Sequence, residues 1–571
     1  MRWATRVALP FAPAALYGLL GWTHRWTADD AFINFRVVDQ LLHGNGPVFN
    51  AGERVEAYTS PLWLGILSIP SAIAGVRHVP WIALSVGLPL AVAGLALATL
   101  GALALARRDE LAGALPLPLG ALAFAVLPPA WDFASSGLET GLSFAWLGAC
   151  FAGAAVLYRR GEWRRGRLSS ARAWDGLAVL AGLGVLVRPD FGIFSLGFLA
   201  LAIVLPGRPT LRTALWRVAL AVALPLAYEL FRMAYFAELV PNTALAKEAG
   251  STDWSRGWTY LWDTLEPYVL LAPLLALTAW SGFRAVTAAR AGDGGVALLR
   301  GVPPAAGLLH LLYVVAIGGD FMHGRMVLPG LFAILMPVAV VPVRWSARDV
   351  VLAAGVAAWA LVCGLSLRLG YVLSSKGISD ERAYYVNSSH NGHPVTLRDY
   401  RGLPGSYYGT LAHARAARGE RVLTFAGLGR PDLPLRPEEK RFVAVGAVIG
   451  VYGFAAGVDV RVADLLGIGD PLAARLRIVH RSRAGHEKFI PLEWVVARFA
   501  DPARTTLPIV RSRATLAAGR DLRCPELRDL LHAIDKPLTL SRALSNLGFS
   551  FTSTTLRFPP NPIAAGRELC R

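Results

Sequence analysis

Apolar runs of about 20 residues fill the first two thirds of this 571-residue chain and limit its fold more than any other feature. About 20 apolar residues are needed for a helix to cross roughly 30 Å of hydrocarbon. The pattern predicts about 11 spans, near 6–23, 80–106, 112–130, 138–158, 174–189, 191–206, 212–236, 261–283, 301–317, 326–344 and 349–371. Beyond them, Gly, Pro and charged residues break the apolar runs into lengths typical of a soluble domain. We predict a polytopic α-helical membrane domain over 1–373 and a mixed α/β soluble domain over 374–571.

The composition agrees with a membrane protein. Hydrophobic residues make up 54% of the chain, charged residues 17%, and the mean hydropathy is +0.45. Soluble proteins carry about 25% charged residues, and disordered chains are far less hydrophobic. The net charge of +18 comes from arginines that interrupt the apolar runs instead of forming one stripe, so no nucleic-acid partner is predicted.

Arginine-rich connections set the predicted orientation, because short basic loops stay in the cytoplasm. These connections contain Arg107, Arg108, Arg159, Arg160, Arg164, Arg165, Arg167, Arg172, Arg208, Arg212 and Arg217. The loops near 24–79, 131–137, 189–191, 237–260 and 318–325 then face outward, together with the C-terminal domain. The stretch 60–76 is also apolar, but if it crossed the membrane, Arg107 and Arg108 would face outward. We therefore predict that 60–76 lies along the outer surface or re-enters from it. The predicted location is the plasma membrane.

Ionisable residues collect in these outward loops. Asp29 and Asp30 directly follow the first span, where two adjacent carboxylates are costly unless they serve a site, a metal or a cation. A simpler interpretation is that they cap a helix beginning at Ala31. The same loop also contains Arg54 and Glu56, and the segments at or beside the other outward loops contribute Asp132, Glu139, Arg188, Asp190, Lys247, Asp320, His323 and Arg325. The arginines, Lys247 and His323 in this set suit a lipid phosphate, although each of these cations is also explained as an interfacial anchor.

Other signatures separate the alternatives. The sequence contains no GxxxxGK[ST] loop and no HExxH pair. A lipid or glycan transporter would place ionisable residues at the bilayer midplane, whereas most here lie at the outer rim. A structural envelope protein that binds polysaccharide is a further alternative. Cys524 and Cys570 both fall in the outward domain, so we expect a disulfide between them.

Five blocks resemble one family. The segment TADDAFINFRVVDQLLHGNGPVFNAGERVEAYTS is similar to the first loop of GT-C membrane glycosyltransferases, more closely the actinobacterial terminal β-1,2-arabinofuranosyltransferases. The resemblance extends to PPAWDFASSGLETGL, LVRPDF, GGDFMHGRMVLPGLFAILMPVAV and the tail's ADLLGIGDPLAARL with GHEK. It implies a GT-C-type fold. It also implies arabinofuranose transfer from decaprenyl-phosphoryl-arabinofuranose to arabinan termini of arabinogalactan and lipoarabinomannan. A GT-C transferase of another polyprenyl-phosphate sugar would keep the same loops.

The resemblance also implies roles for the residues. In the class an aspartate of the first outward loop is catalytic, which corresponds to Asp29 or Asp30. The charge that develops on a phosphate leaving group, and not the resemblance, places Lys247, His323, Arg325 and Arg188 at the donor phosphate. Glu56, Glu139, Asp190 and Asp320 are expected to orient substrate. The C-terminal domain is expected to bind the acceptor glycan. A divalent cation beside the Asp pair is compatible with this arrangement, but no ligand set is diagnostic.

The stereochemistry limits the mechanism. The family's donor and product are both β-linked, so a single inverting displacement does not fit. A double displacement with a carboxylate nucleophile and an ion-pair course with attack from the phosphate side both remain open.

Overall fold

The computed structural model describes residues 8–106, 113–163, 169–207, 209–248, 250–425 and 427–570. Of the arginines used to predict the orientation, Arg107, Arg108, Arg164, Arg165, Arg167 and Arg208 lie outside the described residues.

Helices dominate the first two thirds of the described chain. They are α1 (Ala12–Thr23), α2 (Asp29–Leu42), α3 (Pro61–Ala74), α4 (Val79–Leu105), α5 (Leu119–Ala125), α6 (Pro128–Ala134), α7 (Thr140–Trp163), α8 (Ser169–Gly182), α9 (Gly184–Val187), α10 (Gly192–Val204), α11 (Leu211–Phe236), α12 (Asn242–Ala246), α13 (Trp254–Leu265), α14 (Leu271–Arg290), α15 (Gly294–Ala316), α16 (Leu328–Leu335) and α17 (Ala347–Leu365).

The last third mixes helices and strands. Its helices are α18 (Glu381–Ser389), α19 (Pro404–Ala417), α20 (Ile449–Ala456), α21 (Leu492–Phe499), α22 (Arg513–Asp521), α23 (Pro525–Asp535), α24 (Leu540–Thr555) and α25 (Pro562–Leu569). The strands of the whole chain are β1 (Leu115–Leu117), β2 (Val341–Val343), β3 (Val422–Thr424), β4 (Leu433–Pro434), β5 (Phe442–Gly446) and β6 (Val460–Asp464).

Six helices in the described part of the chain are long and apolar enough to cross a membrane, judged by length and composition. They cover Val76–Leu105, Thr140–Arg160, Leu211–Phe236, Leu271–Arg290, Gly294–Ala316 and Ala347–Leu365. Shorter apolar helices cover Pro61–Ala74, Pro189–Val204 and Leu328–Val338. The chain is therefore a polytopic helical membrane protein, as predicted at this level.

Several predicted spans are interrupted. In 112–130, β1 precedes two short helices, and in 326–344 a short helix is followed by β2. The two strands pair antiparallel, with Leu115 opposite Val343 and Leu117 opposite Val341. Proline explains the breaks, because it lacks an N–H and clashes with the preceding turn of a helix; 112–130 contains four prolines and 326–344 contains three. The stretch 261–283 is likewise divided between α13 and α14.

The chain forms two compact units. The first comprises 1–26, 83–226 and 252–384 and contains most of the apolar helices. Close backbone approaches at glycine hold these helices together: a Cβ on Gly141 would lie 2.0 Å from the Gly87 carbonyl oxygen, and one on Gly182 would lie 1.9 Å from that of Ala221. Small residues at such crossings allow tight packing where the hydrophobic effect is weak.

The second unit comprises 27–82, 227–251 and 385–571. Most of the first loop and residues 227–251 thus belong to the same compact unit as the tail. Its sheet has the order β4-β3-β5-β6, with β3, β5 and β6 parallel and β4 antiparallel. Helix α20 is the crossover between β5 and β6. A buried apolar core that includes Trp494, Val443 and Phe558 supports the sheet.

The predicted disulfide is confirmed. Cys524 and Cys570 are bonded, with a Cα–Cα distance of 5.3 Å. The bridge ties the start of α23 to the end of the chain, and Cys150 and Cys363 are free and buried.

Candidate active site

Asp29 opens α2 and caps a second helix. Its Oδ2 accepts the N–H of Gly450 at 3.1 Å, and its Oδ1 accepts that of Val451 at 2.8 Å. These two residues lie in the first turn of α20, whose N–H groups have no partner within the helix. Asp29 therefore fixes the start of α20, which is a different capping role from the one considered for it in the sequence.

Arg36 holds the other end of α20. The fully buried guanidinium donates to the carbonyl oxygens of Phe49 at 2.8 Å, Gly457 at 2.7 Å and Val460 at 2.7 Å, and also to that of Gly453. A carboxylate at a helix N-terminus and a cation at its C-terminus both suit the helix dipole. Helix α2 thus clamps α20 with one charge of each sign.

Burial changes the acid–base behaviour of Asp29. Its pKa is raised to about 7, chiefly because burial disfavours the charged form, and the neighbouring Asp30 adds to the rise. The N–H bonds from Gly450 and Val451 act in the opposite direction. Near neutral pH, Asp29 consequently carries a fractional charge.

Asp30 faces a different environment, which includes the GHEK turn, defined as Gly485, His486, Glu487 and Lys488. Burial lowers the pKa of His486, the cations Arg483 and Lys247 lower it further, and the carboxylate of Asp30 raises it. The imidazole of His486 is therefore close enough to Asp30, Lys247 and Arg483 to sense their charges. We call Asp30, Lys247, Arg483 and His486 the Asp30 cluster. With its lowered pKa, His486 is a neutral imidazole at pH 7.

The shape of the GHEK turn brings Lys247 close. Gly485 has a φ of +75°, and a Cβ there would lie 3.2 Å from the Lys247 Cε. The His486 N–H donates to the Arg483 carbonyl oxygen at 3.0 Å, which closes the turn. A glycine at this position both permits the left-handed backbone and leaves room for the lysine stem.

Lys488 fastens the Lys247 loop to the tail. Its Nζ donates to the carbonyl oxygens of Leu245 at 2.8 Å and Ala474 at 2.6 Å, and pairs with Glu248 at 2.6 Å. Burial lowers the pKa of Lys488 to about 8. These contacts hold the chain on both sides of Lys247, at Leu245 and at Glu248. The backbone of Lys247 is therefore fixed next to the GHEK turn.

Glu56 and Arg54 lie in the same unit but have structural partners. The buried Glu56 pairs with Arg232 at 2.6 Å and accepts the Tyr228 hydroxyl at 2.6 Å. Arg54 donates to three carbonyl oxygens, those of Tyr235, Ala533 and Lys536. Neither contact set includes a member of the Asp30 cluster.

The first unit contains a second charged cluster, centred on Arg188. Its guanidinium forms a bidentate pair with Asp190, at 3.0 Å for each bond, and approaches Glu139 at 3.5 Å. Asp190 also contacts His310 at 2.8 Å. Arg325 lies 3.5 Å from Glu139 and 3.6 Å from Asp320. Each arginine thus already faces two carboxylates.

His323 belongs to a separate chain of contacts. Its Nδ1 lies 2.6 Å from the Asp263 carboxylate, and its Nε2 lies 3.0 Å from the Tyr268 hydroxyl. It lines a small cleft of about 150 Å³ together with Asp132 and Arg382.

The site residues predicted from the sequence thus fall into groups. The second unit places Asp29, Asp30 and Lys247 together, with Glu56 in another part of it. The first unit brings together Glu139, Arg188, Asp190, Asp320 and Arg325. His323, in the same unit, contacts Asp263 instead. His486 and Arg483 were missed as site residues, although the GHEK block contains His486.

The comparisons with known proteins decide the family. The chain is 35% identical to a terminal β-(1→2)-arabinofuranosyltransferase of Mycobacterium tuberculosis, over 96% of this chain and 95% of that one. It is 33% identical to the protein of the same name from Corynebacterium glutamicum, over 95% of this chain and 84% of that one. This chain belongs to the terminal β-(1→2)-arabinofuranosyltransferase family. The resemblance found in the sequence, and with it the prediction of a glycosyltransferase, is confirmed.

Two further matches accompany these relatives. The AftB family C-terminal domain matches residues 435–567, which contain the GHEK turn. Among solved structures, ArnT from Cupriavidus metallidurans bound to undecaprenyl phosphate covers 82% of this chain and 88% of its own, with a TM-score of 0.38 and 14% identity. Assignment to the family rests on the two sequence relatives.

Proposed function

We propose that this chain transfers arabinofuranose from decaprenyl-phosphoryl-arabinofuranose to the ends of arabinan chains in β-(1→2) linkage. The acceptors are arabinogalactan and lipoarabinomannan. Family membership supports the sugar and the linkage. The observation that carries the proposal is the Asp30 cluster, which joins one carboxylate, two cations and one neutral imidazole.

Each group in the cluster has a task that its charge suits. As the bond between the sugar C1 and the phosphate oxygen breaks, the phosphate keeps the electron pair and the sugar becomes oxocarbenium-like. Asp30 stabilises the positive sugar, while Lys247 and Arg483 stabilise the phosphate. The acceptor oxygen then bonds to C1, and the neutral His486 takes its proton.

The structure motivates different roles for the two aspartates. Both carboxylate oxygens of Asp29 accept backbone N–H groups of α20. Asp30 is partly exposed, and its charge acts on His486. We therefore assign Asp30 as the catalytic carboxylate and Asp29 as the residue that positions α20.

The charged residues of the first unit receive a positioning role. Arg188 and Arg325 face three carboxylates in total, Glu139, Asp190 and Asp320, so little positive charge remains for an added phosphate. We propose that this network fixes its helices, and that His323 is oriented by Asp263. Glu56 orients α11 through Arg232.

The proposed topology has eleven membrane crossings in a GT-C-type arrangement, with the first loop and the C-terminal domain outside the cell. The crossings at 112–130, 261–283 and 326–344 are interrupted segments instead of single continuous helices. Reporter fusions after residues 165 and 290 should read as cytoplasmic, and those after 250 and 400 as external. A cytoplasmic reading after residue 400 would contradict an external site.

The C-terminal domain is proposed to bind the acceptor glycan. A cleft of about 400 Å³ in the second unit is lined by residues that include Tyr408, Arg430 and Phe442. An aromatic side chain next to polar groups is the usual composition of a small-molecule site. Tyr408→Ala should raise the KM for arabinan without changing the KM for the donor.

One experiment tests the proposed function as a whole. Purified protein is given polyprenyl-phosphoryl-arabinofuranose and a short arabinan acceptor, and the product is analysed for linkage. A new terminal β-(1→2)-arabinofuranose is expected. Transfer only from polyprenyl phosphates that carry another sugar would overturn the substrate assignment.

A further inference from the structure

A large basic cleft lies in the second unit, beside the start of a candidate membrane span. Its volume is about 750 Å³, and three chain segments line it. The first segment is the turn Val76–His78 with the opening of α4, which begins the span Val76–Leu105. The other two are the turn Leu397–Tyr400 and helix α19.

Positive charge dominates the cleft. Arg77, Arg398 and Arg401 line it, together with His78 and His413, and all five side chains are exposed. No carboxylate is among the lining residues. Among the residues that the structure describes, none of these three arginines forms an ion pair.

The nearest acidic side chain along the chain is already engaged. Asp399 accepts the N–H groups of Val395 and Thr396, at 3.1 and 2.7 Å, and the amide of Asn391 at 3.0 Å. It forms a capping box with Thr396 and is absent from the cleft lining. The charge of Asp399 therefore holds the turn and leaves Arg398 and Arg401 unneutralised.

The remaining lining residues match the interface of a bilayer. Trp81 is 40% exposed and lies one turn after Arg77, where an aromatic ring belongs at headgroup depth. Ser406 and Thr410 add hydroxyl groups, and Phe454 adds an apolar surface. A cavity that combines arginines, hydroxyls and a tryptophan at a span end matches the phosphate and glycerol region of a lipid.

We propose that this cleft binds the phosphate headgroup of an anionic phospholipid. Arg398, Arg401 and Arg77 contact the phosphate, and the acyl chains follow the span that begins at Val76. Arginine suits this task because its planar fork donates two hydrogen bonds to a phosphate.

The cleft shares no lining residue with the Asp30 cluster. Asp29, next to the cluster, contacts the first turn of α20, whereas Phe454 and Ala455 meet the cleft at its last turn. Four to five residues of helix separate the two ends, which is about 7 Å along the axis. The lipid site therefore does not depend on the proposed function.

Native mass spectrometry on the delipidated full-length protein tests this site with dioleoylphosphatidylglycerol as the probe. The test variant is Arg398→Gln/Arg401→Gln. The matched control is Arg511→Gln/Arg513→Gln, which removes two exposed arginines from the same unit. The test variant should bind the probe about tenfold or more weakly, because each arginine contributes to attraction by anionic lipid. The control should bind as the parent does, and all three proteins should share one melting temperature.

Three further arms separate the sources of phosphate. Dioleoylphosphatidylcholine carries the same phosphodiester with a compensating ammonium, so it should bind the parent more weakly than the probe and lose less affinity than the probe in the test variant. Displacement of the probe by millimolar inorganic phosphate would overturn the proposal in favour of a free-anion site. Undecaprenyl phosphate that binds more tightly than the probe, and only with Arg398 and Arg401 present, would overturn it in favour of the donor carrier. Undiminished probe binding by Arg398→Gln/Arg401→Gln would remove the site altogether.

Discussion

Asp29 and Gly450 are in contact through both backbone and side chain. The Gly450 N–H donates to the Asp29 carboxylate at 3.1 Å, and a Cβ on Gly450 would lie 1.9 Å from the Asp29 carbonyl oxygen. These residues are 421 positions apart in the sequence. The contact explains why the first loop and the tail form part of one compact unit.

Gly450→Ala should destabilise this unit. The added methyl group would collide with backbone, which cannot move aside as a flexible side chain can, and such overpacking costs about 1–3 kcal/mol. A lower melting temperature in detergent is the expected result. The control is Gly519→Ala, where a Cβ would meet no atom within 4 Å inside α22. A melting temperature for Gly450→Ala equal to that of the control would contradict the close approach.

The raised pKa of Asp29 predicts a pH dependence of stability. Between its usual pKa of 3.8 and its folded value of about 7, the folded state binds more protons than the unfolded state, so this group lowers stability as pH rises through that window. The melting temperature of Asp29→Asn, relative to the parent, should therefore rise from pH 4 to 7 and then level off.

The carboxylate of Glu420 predicts a pH dependence of stability with the opposite sign. Hydrogen bonds from Arg415 and Arg418 lower the pKa of Glu420, so its contribution is lost as pH falls. Relative to the parent, Glu420→Gln should lose stability as pH rises toward the usual glutamate pKa of 4.5, and above that pH the difference in melting temperature should stay constant. If the difference in melting temperature between Asp29→Asn and the parent did not change with pH, Asp29 would not be protonated on burial.

Lys247 is expected to act on the phosphate. Lys247→Met keeps most of the stem that packs on Gly485 but removes the charge, and it should slow transfer by about 10²-fold, the scale of losing one oxyanion donor. Steady-state kinetics on purified protein measure this effect. Lys440→Met removes an exposed lysine of the same unit and should leave turnover unchanged. Parent-like turnover by Lys247→Met would exclude a phosphate role.

Arg188 should matter for stability. Arg188→Gln leaves Asp190 and Glu139 without their cation in a buried setting, which costs about 3–5 kcal/mol when one partner of such a pair is removed. We expect a clear fall in melting temperature. Arg212→Gln, at an exposed position of the same unit, is the control. If Arg188→Gln lost transfer activity at an unchanged melting temperature, Arg188 would instead be assigned to binding of the donor phosphate.

The sequence predicted the class of fold from hydrophobic run length, because a bilayer demands about 20 apolar residues per helix. It did not predict that 112–130 and 326–344 are broken, since hydropathy does not register the prolines that end a helix. The pairing of β1 with β2 is a contact between segments more than 200 residues apart, which a local pattern cannot show.

The candidate site was predictable in part. Asp29, Asp30 and Lys247 stood out because charges near apolar spans are rare and costly. Different roles for Asp29 and Asp30 could be proposed only after the contacts of Asp29 with α20 were known. His486 lies in an ordinary polar stretch of a soluble domain, so composition gave no reason to select it. The shared contact of Arg188 and Arg325 with Glu139 could not be predicted from the sequence, because it joins segments that are far apart in the chain.

Asp30 is assigned as the carboxylate that acts on the sugar, and the proposed mechanism depends on this assignment. Its most direct test is transfer from polyprenyl-phosphoryl-arabinofuranose to a short arabinan by Asp30→Asn, with melting temperature measured on the same preparation. We expect the transfer rate to fall by about 10²-fold or more at an unchanged melting temperature, because one preorganised charge is removed from the reacting centre. Formation of the β-(1→2) product at the parent rate by Asp30→Asn would contradict it.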